Sequence, residues 1–252
     1  MSADALRRIA RTTPNFRAVG EGVVPPGRLY RSSTLSDLDA DGWAALADLG
    51  IRTLIDLRGP DEVAVMPVTP PDGITRISVT LSASGDARFD GAVDEASTAA
   101  LIADVYRRIV QGQAEGIGRA LARLAEPDAL PAVIYCTAGK DRTGILCALL
   151  LLAVGAPLDL VHADYERTNT MLVGAARTRI WERSARVATF GMPEGPVVDA
   201  MIRADRAYLA AAIEGVGAIE DYLAARGIDA GVRAALREGL LGPDAGADTC
   251  PR

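Results

Sequence analysis

Along its first half the chain alternates short apolar bursts with polar stretches, and later the apolar positions close into longer runs. "GRLYRSS" (27–33) reads as a short strand. "IRTLIDLR" (51–58) reads as a buried strand, carried by Ile51, Leu54, Ile55 and Leu57 and ending near Asp56. Between them Leu38, Leu46 and Leu49 fit one helical face, and Gly50 stops the helix. "ITRISVTL" (74–81) predicts a further strand after the turn "PPDG". Leu81 to Glu95 is polar and glycine-bearing, the pattern of a long surface loop. Helical patterns follow at 97–112 and 115–126 and are broken by "EPDALP". "AVIYC" (132–136) is then a short buried strand, and an apolar helix runs from Thr143 onward. Pro157 separates that helix from another at 158–173. Strands alternating with helices predict an α/β fold, a mostly parallel central sheet flanked by helices on both faces.

Composition narrows this picture. With 252 residues, 49% hydrophobic and 24% charged, the chain can bury one large core, and a single domain over 1–241 is expected. Residues 242–252 read as a flexible tail, which sets Cys250 aside as a catalyst. A net charge of -6 opposes a broad nucleic-acid surface, yet it leaves room for a small positive pocket. Three cysteines, at 136, 147 and 250, make no disulfide framework and no metal-ligand spacing. His162 is the single histidine, so neither a zinc site nor a cofactor is expected. The amino terminus lacks the apolar core of a secretory signal, and the longest apolar run, Ile145 to Ala156, is too short to span a bilayer. A cytoplasmic location without stable membrane insertion is the expectation, with export lacking a recognisable signal as the alternative.

The charge inventory holds one oddity: 26 arginines stand against a single lysine. That lysine, Lys140, sits in "AVIYCTAGKDRTGIL" (132–146), four residues after Cys136. Cys136 ends a strand whose carboxyl end opens into the crevice where α/β sheets bind ligands. Thr137, Ala138, Gly139 and Lys140 can curl so that their N–H groups form an anion nest, and Gly139 and Gly144 allow the tight path. The helix that follows aims its positive end at the same point. Arg142 supplies a planar fork for two phosphate oxygens. An environment that favours a phosphate also favours a thiolate, so Cys136 becomes a nucleophile aimed at phosphorus. Thr143 can donate its hydroxyl to the sulfur as it leaves. The "AGKD" element is not a Walker A loop, because Ile134 and Asp141 stand where glycine and Ser/Thr would be required. The plain alternative is a buried structural cysteine, which is the reading for Cys147 inside the apolar helix.

"CTAGKDRTG" resembles the C-x5-R-[ST]-G signature of cysteine-dependent phosphatases. Its Lys-Asp-Arg variant is similar to a bacterial family of atypical tyrosine and phosphoinositide phosphatases. "NFRAVG" (15–20), "GRLYRSS" and "LGIRTLIDLRGPDE" (49–62) extend the resemblance over about the first 170 residues. It implies Cys136 as nucleophile and Arg142 as transition-state clamp, with Arg58 among the substrate-binding residues. The conventional acid on a Trp-Pro-Asp loop is absent, since neither Trp43 nor Trp181 precedes Pro-Asp. The resemblance favours Asp141 as general acid and leaves Asp56 as a supporting or alternative one; Asp56 could equally pair Arg58 or cap a turn. Lys140 resembles an anchor for a second phosphate, which adds phosphoinositide head groups to phosphotyrosine proteins as partners. Where the family carries histidine before the cysteine, this chain has Tyr135, so the activity is expected to be weakened or retuned.

"AARTRIWERSAR" (175–186) reads either as a solvated amphipathic helix or as part of a lid over about 174–205 whose arginines meet an anionic substrate. "GMPEGP" (191–196) would be its hinge. A lone helical histidine such as His162 belongs to packing or surface. The function expected is a phosphatase acting on phosphotyrosine, and also on phosphoserine, phosphothreonine and phosphoinositides, through a phosphocysteine intermediate. Tyr135 favours a non-catalytic phosphate-binding module as the alternative. A sulfur-transfer enzyme is opposed by the Arg-Thr-Gly ending of the loop.

Overall fold

The computed structural model describes residues 3–82, 94–187 and 196–242. Of the expected tail at 242–252 all but Gly242, of the expected loop at 81–95 residues 83–93, and of the expected hinge at 191–196 residues 191–195 lie outside them. Five strands, β1 (Arg17–Ala18), β2 (Leu29–Ser32), β3 (Thr53–Asp56), β4 (Thr75–Ser78) and β5 (Ala132–Tyr135), form one sheet in the order β1-β2-β5-β3-β4. All neighbours are parallel except β1, which pairs antiparallel with β2 at the edge. The α/β class with a mostly parallel sheet is therefore what the chain adopts.

Period-2 alternation divides the strand residues between two apolar layers. Tyr30, Leu54, Val133 and Tyr135 pack with α1 (Ala3–Ala10) and α2 (Ala40–Asp48). Leu29, Ile55, Ala132, Ile134 and, one step on, Cys136 face the larger layer. After the short α3 (Pro60–Val65), that layer is built by α4 (Glu95–Gly112), α5 (Ala114–Leu124), α6 (Asp141–Ala153) and α7 (Leu158–Glu166). α6 is apolar all round because it is buried all round, every residue from Thr143 to Leu151 being inaccessible to solvent. The helix expected at 158–173 breaks at Arg167 into α7 and a single turn, α8 (Thr168–Met171). α9 (Gly174–Val187) and α10 (Pro196–Ile202) follow, and α11 (Arg206–Val216), α12 (Ile219–Ala224) and α13 (Ala230–Leu241) complete the larger layer. Among the described residues no helix is long and apolar enough to cross a membrane.

One consequence of the register decides where chemistry can occur. Ser32, Asp56 and Tyr135 are direct partners across β2, β3 and β5, so these three strands end level with one another. Ser33, Cys136 and Leu57 are the first residues beyond them, at one carboxyl edge of the sheet.

Candidate active site

The loop after β5 turns its carbonyls outward because buried donors wait for them. Arg31 Nη2 donates to Gly139 O at 2.8 Å and to Lys140 O at 3.3 Å, while Asn15 Nδ2 donates to Gly139 O at 2.9 Å. Arg31 is itself held by Asp164 Oδ2 at 2.8 Å, and Arg17 by Asp164 O at 2.8 Å. With the carbonyls taken from behind, the Gly139 N–H faces inward and donates to Cys136 Sγ at 3.2 Å. Cys136 lies buried at the base of this nest. Gly139 has φ +68°, and a Cβ there would stand 2.3 Å from Ser32 O, a backbone atom that cannot move aside. Asn15, Arg17 and Arg31 come from the "NFRAVG" and "GRLYRSS" blocks, which sequence reading noted only for their resemblance.

Arg142, on the first turn of α6, points its fork at Glu62. Nη2 donates to Oε1 at 2.7 Å and Nη1 to Oε2, a bidentate pair that leaves the other guanidinium hydrogens for a ligand. Thr137 Oγ1 donates to the same Oε1, and Gly59 N–H to Oε2 at 2.9 Å. Glu62 thus ties α3 to both ends of the phosphate-sized loop. Sequence reasoning passed over it, although its place three residues after Gly59 at a helix start is a recognisable capping position. Burial by itself would raise the Glu62 pKa, but Arg142 and Thr137 outweigh it and bring it down to about 2 from 4.5. A depressed carboxylate stabilises the fold fully above its unfolded pKa, and that contribution is lost as pH falls from about 4.5 through 2. Between pH 5 and pH 3 the wild type is expected to lose about 2 kcal/mol more stability than Glu62→Gln, measured by urea unfolding. Equal losses would show that the pair does not hold in solution.

The two acid candidates sit in opposite surroundings. Asp56 is fully buried and accepts from Arg58 Nε (2.8 Å) and Nη2 (2.7 Å), Arg58 N–H (3.1 Å), Tyr135 OH (2.8 Å) and Arg76 Nε (2.9 Å). Burial opposes its charge, yet Arg58 and Tyr135 hold it below the usual carboxylate range. Of the readings left open for Asp56, pairing with Arg58 is the arrangement present. The expectation that Arg58 binds substrate needs correcting. Its guanidinium is buried on Asp56, Thr34 Oγ1 (3.0 Å) and Met66 O (2.6 Å), 5.3 Å above the Tyr135 ring. Tyr135 faces the α1–α2 layer, away from the Cys136 side, and burial next to Asp56 keeps its phenol protonated.

Asp141 instead lines a cavity of about 470 Å³ above the loop, together with Thr137, Ala138, Lys140 and Arg142. Its Oδ1 accepts from Tyr106 OH at 2.7 Å and meets Lys140 Nζ at 3.0 Å. Lys140, expected to anchor a second phosphate, lines the cavity wall with Nζ donating to Met201 O (2.5 Å) and Arg203 O (3.1 Å) at the end of α10. Thr143 Oγ1 is buried without a hydrogen-bond partner among the described residues, so its proton remains available. Gly144 lies beside the Tyr165 ring, where a Cβ would come within 2.7 Å.

α9 and α10 roof the cavity with Ile180, Trp181, Ser184, Met201 and Ile202. Three of the α9 arginines expected to greet an anion, Arg177, Arg179 and Arg183, contact the protein instead. Arg183 donates to Ser33 Oγ (3.2 Å) and Thr12 O (2.9 Å) and pairs with Asp37, Arg179 donates to Arg11 O (2.8 Å), and Arg177 pairs with Asp199. They fasten the helix down, and its apolar face meets the cavity. His162 is buried on α7, where burial lowers its pKa, and Cys147 is buried in α6 with its thiol pushed up to about 12 by desolvation. Among the described residues no group of side chains could hold a metal ion.

Residues 10–242 match the tyrosine phosphatase family. The triple specificity protein phosphatase PtpB of Mycobacterium tuberculosis is 34% identical, over 90% of this chain and 96% of its own length. The putative tyrosine-protein phosphatase H16_A0669 of Cupriavidus necator is 26% identical, over 85% of this chain and 79% of its own. Among solved structures, the core catalytic domain of the PP-IP phosphatase SIW14 from S. cerevisiae covers 67% of this chain and 85% of its own at 20% identity and a TM-score of 0.40. The family match runs from the end of α1 to the end of α13, with the nest, its buried cysteine and the helices that roof it all inside: this chain is a member of the tyrosine phosphatase family.

Proposed function

We propose that this chain hydrolyses phosphotyrosine through a phosphocysteine intermediate on Cys136. The observation that carries the reading is the Gly139 N–H on the buried Sγ, at the base of a loop whose carbonyls are drawn outward. The Cys136 thiolate attacks phosphorus, the Sγ–P bond forms and the P–O bond to the leaving group breaks. Arg142, steadied by Glu62, spans the equatorial oxygens through its remaining N–H groups. Asp141 gives its proton to the departing phenolic oxygen. Its carboxylate then takes a proton from water as that water attacks phosphorus, and Thr143 Oγ1 donates to the sulfur released.

Substrate choice follows from the walls. A polar floor beneath Ile180, Trp181 and Met201 suits a phosphate carried on an aromatic ring. Lys140, the residue read as a second-phosphate anchor, lines the same cavity, so phosphoinositide head groups stay in the proposal beside the tyrosine monoester. The breadth named for PtpB enters as part of the proposal: phosphoserine and phosphothreonine are slower substrates, because an alkoxide leaving group depends more on Asp141.

The test uses that dependence. Asp141→Asn is expected to lose about a hundredfold in kcat on phenyl phosphate but only a few-fold on 2,4-dinitrophenyl phosphate, whose leaving group needs little protonation. Acid quenching during turnover of labelled substrate is expected to trap label on Cys136. Equal losses on both substrates would remove Asp141 from the acid role. Label absent from Cys136, with turnover intact, would defeat the covalent reading.

A further inference from the structure

We propose that Tyr106 and Lys140 are positioning residues for the Asp141 carboxyl: they hold Oδ1, and so make Oδ2 the oxygen that carries the proton. This rests on Asp141 being the general acid. Tyr106, fully buried on α4, donates its hydroxyl to Oδ1 at 2.7 Å. Lys140 Nζ reaches the same atom at 3.0 Å. No described residue bonds Oδ2, and the Asp141 side chain keeps 37% exposure at the cavity.

Both holders are held in turn. The Tyr106 hydroxyl lies 2.6 Å from that of Tyr165, and the two rings meet edge-on with centroids 6.3 Å apart. Tyr165 occupies space that exists only because residue 144 is glycine. Lys140 Nζ donates to Met201 O and Arg203 O and forms an ion pair with Asp141 Oδ1, and it lies 5.7 Å from the centre of the Tyr208 ring. Three converging acceptors suit a compact ammonium and not a planar guanidinium, which accounts for the one lysine in a chain that otherwise uses arginine.

The arrangement has a direct chemical use. As Sγ–P forms and the aryl P–O bond breaks, its electron pair moves onto the phenolic oxygen and Oδ2–H gives that oxygen its proton. The carboxylate left behind finds a hydroxyl and an ammonium already on Oδ1, so its charge is met without reorganisation. Arg142, Tyr165 and Tyr208 are further ionisable groups that interact with it. Burial pushes the Tyr106 and Tyr165 phenols upward, so both stay protonated donors.

Tyr106→Phe keeps the ring and removes the bond. The expected result is about a tenfold loss of kcat on phenyl phosphate, less than about twofold on 2,4-dinitrophenyl phosphate, and an unchanged KM. In an Asp141→Asn background the same change is expected to cost nothing more, because the residue it positions no longer carries the proton. Equal losses on the two substrates, or losses fully additive with Asp141→Asn, would overturn the inference. If Asp141→Asn alone showed no dependence on the leaving group, the acid assignment would fall and this inference with it. Tyr165→Phe is the second variant, one step removed from the carboxyl. It is expected to show a smaller loss with the same leaving-group selectivity, and a uniform loss there would equally count against the chain of hydroxyls.

Discussion

Cys136→Ser is expected to bring hydrolysis of p-nitrophenyl phosphate below about 1% of wild type while vanadate still binds within a few-fold of its original affinity. The two readouts separate because they use different parts of the site. Turnover needs a sulfur that can become an anion at neutral pH, and a serine hydroxyl without a base beside it does not ionise there. Oxyanion binding needs the inward N–H groups and the Arg142 fork. Those are set by Arg31 and Asn15 behind the loop and by Glu62 beside it, none of which touches the sulfur. Residual turnover well above that level would move the nucleophile elsewhere. Loss of vanadate binding together with turnover would mean that the sulfur itself holds the loop in shape.

The largest expected effect on stability lies at the other acid. Asp56→Ala removes the carboxylate paired with Arg58, whose guanidinium has no access to solvent, and also deprives Tyr135 of its acceptor. Breaking a buried ion pair from one side costs about 3–5 kcal/mol, because the remaining charge stays desolvated and unpaired. A drop of that size in urea unfolding is the expected outcome, with whatever activity survives reduced alike on phenyl and dinitrophenyl phosphates. A stable Asp56→Ala protein that failed only on the poor leaving group would make Asp56 the acid after all. Asp56 and Asp141 therefore give opposite signatures, one in stability and one in leaving-group dependence.

The C-terminal third shows why legibility fell off along the chain. In α11, Tyr208, Leu209, Ala211 and Ala212 make the buried face, and the alanines carry little apolar contrast for periodicity to detect. The expected start of α6 at Thr143 misses Asp141 and Arg142, because two charged residues opening a helix break the apolar pattern and Lys140 before them makes no side-chain cap. The arginines of α9 invite the opposite mistake: on the sequence they read as an exposed cationic face, while Arg183 is in fact buried against Ser33 and Thr12.

The sequence by itself determined the strand–loop–helix that carries the chemistry. Its evidence is local: apolar bursts of strand length, a six-residue step from Cys136 to Arg142, and glycines where the turn needs them. Only the tertiary structure decided which charge meets which. Glu62 reaches Arg142 across 80 positions, Arg31 reaches Gly139 across 108, and Tyr106 reaches Asp141 across 35. Such pairings leave no periodic trace in one chain, since any buried arginine could be satisfied by many carboxylates. They are selected when parallel strands end level and bring Ser32, Asp56 and Tyr135 to one edge. At that edge desolvation makes every unpaired polar group costly, so Lys140 closes on the end of α10 and on Asp141, and Asp56 is bound up with Arg58 while Asp141 keeps an oxygen toward the cavity.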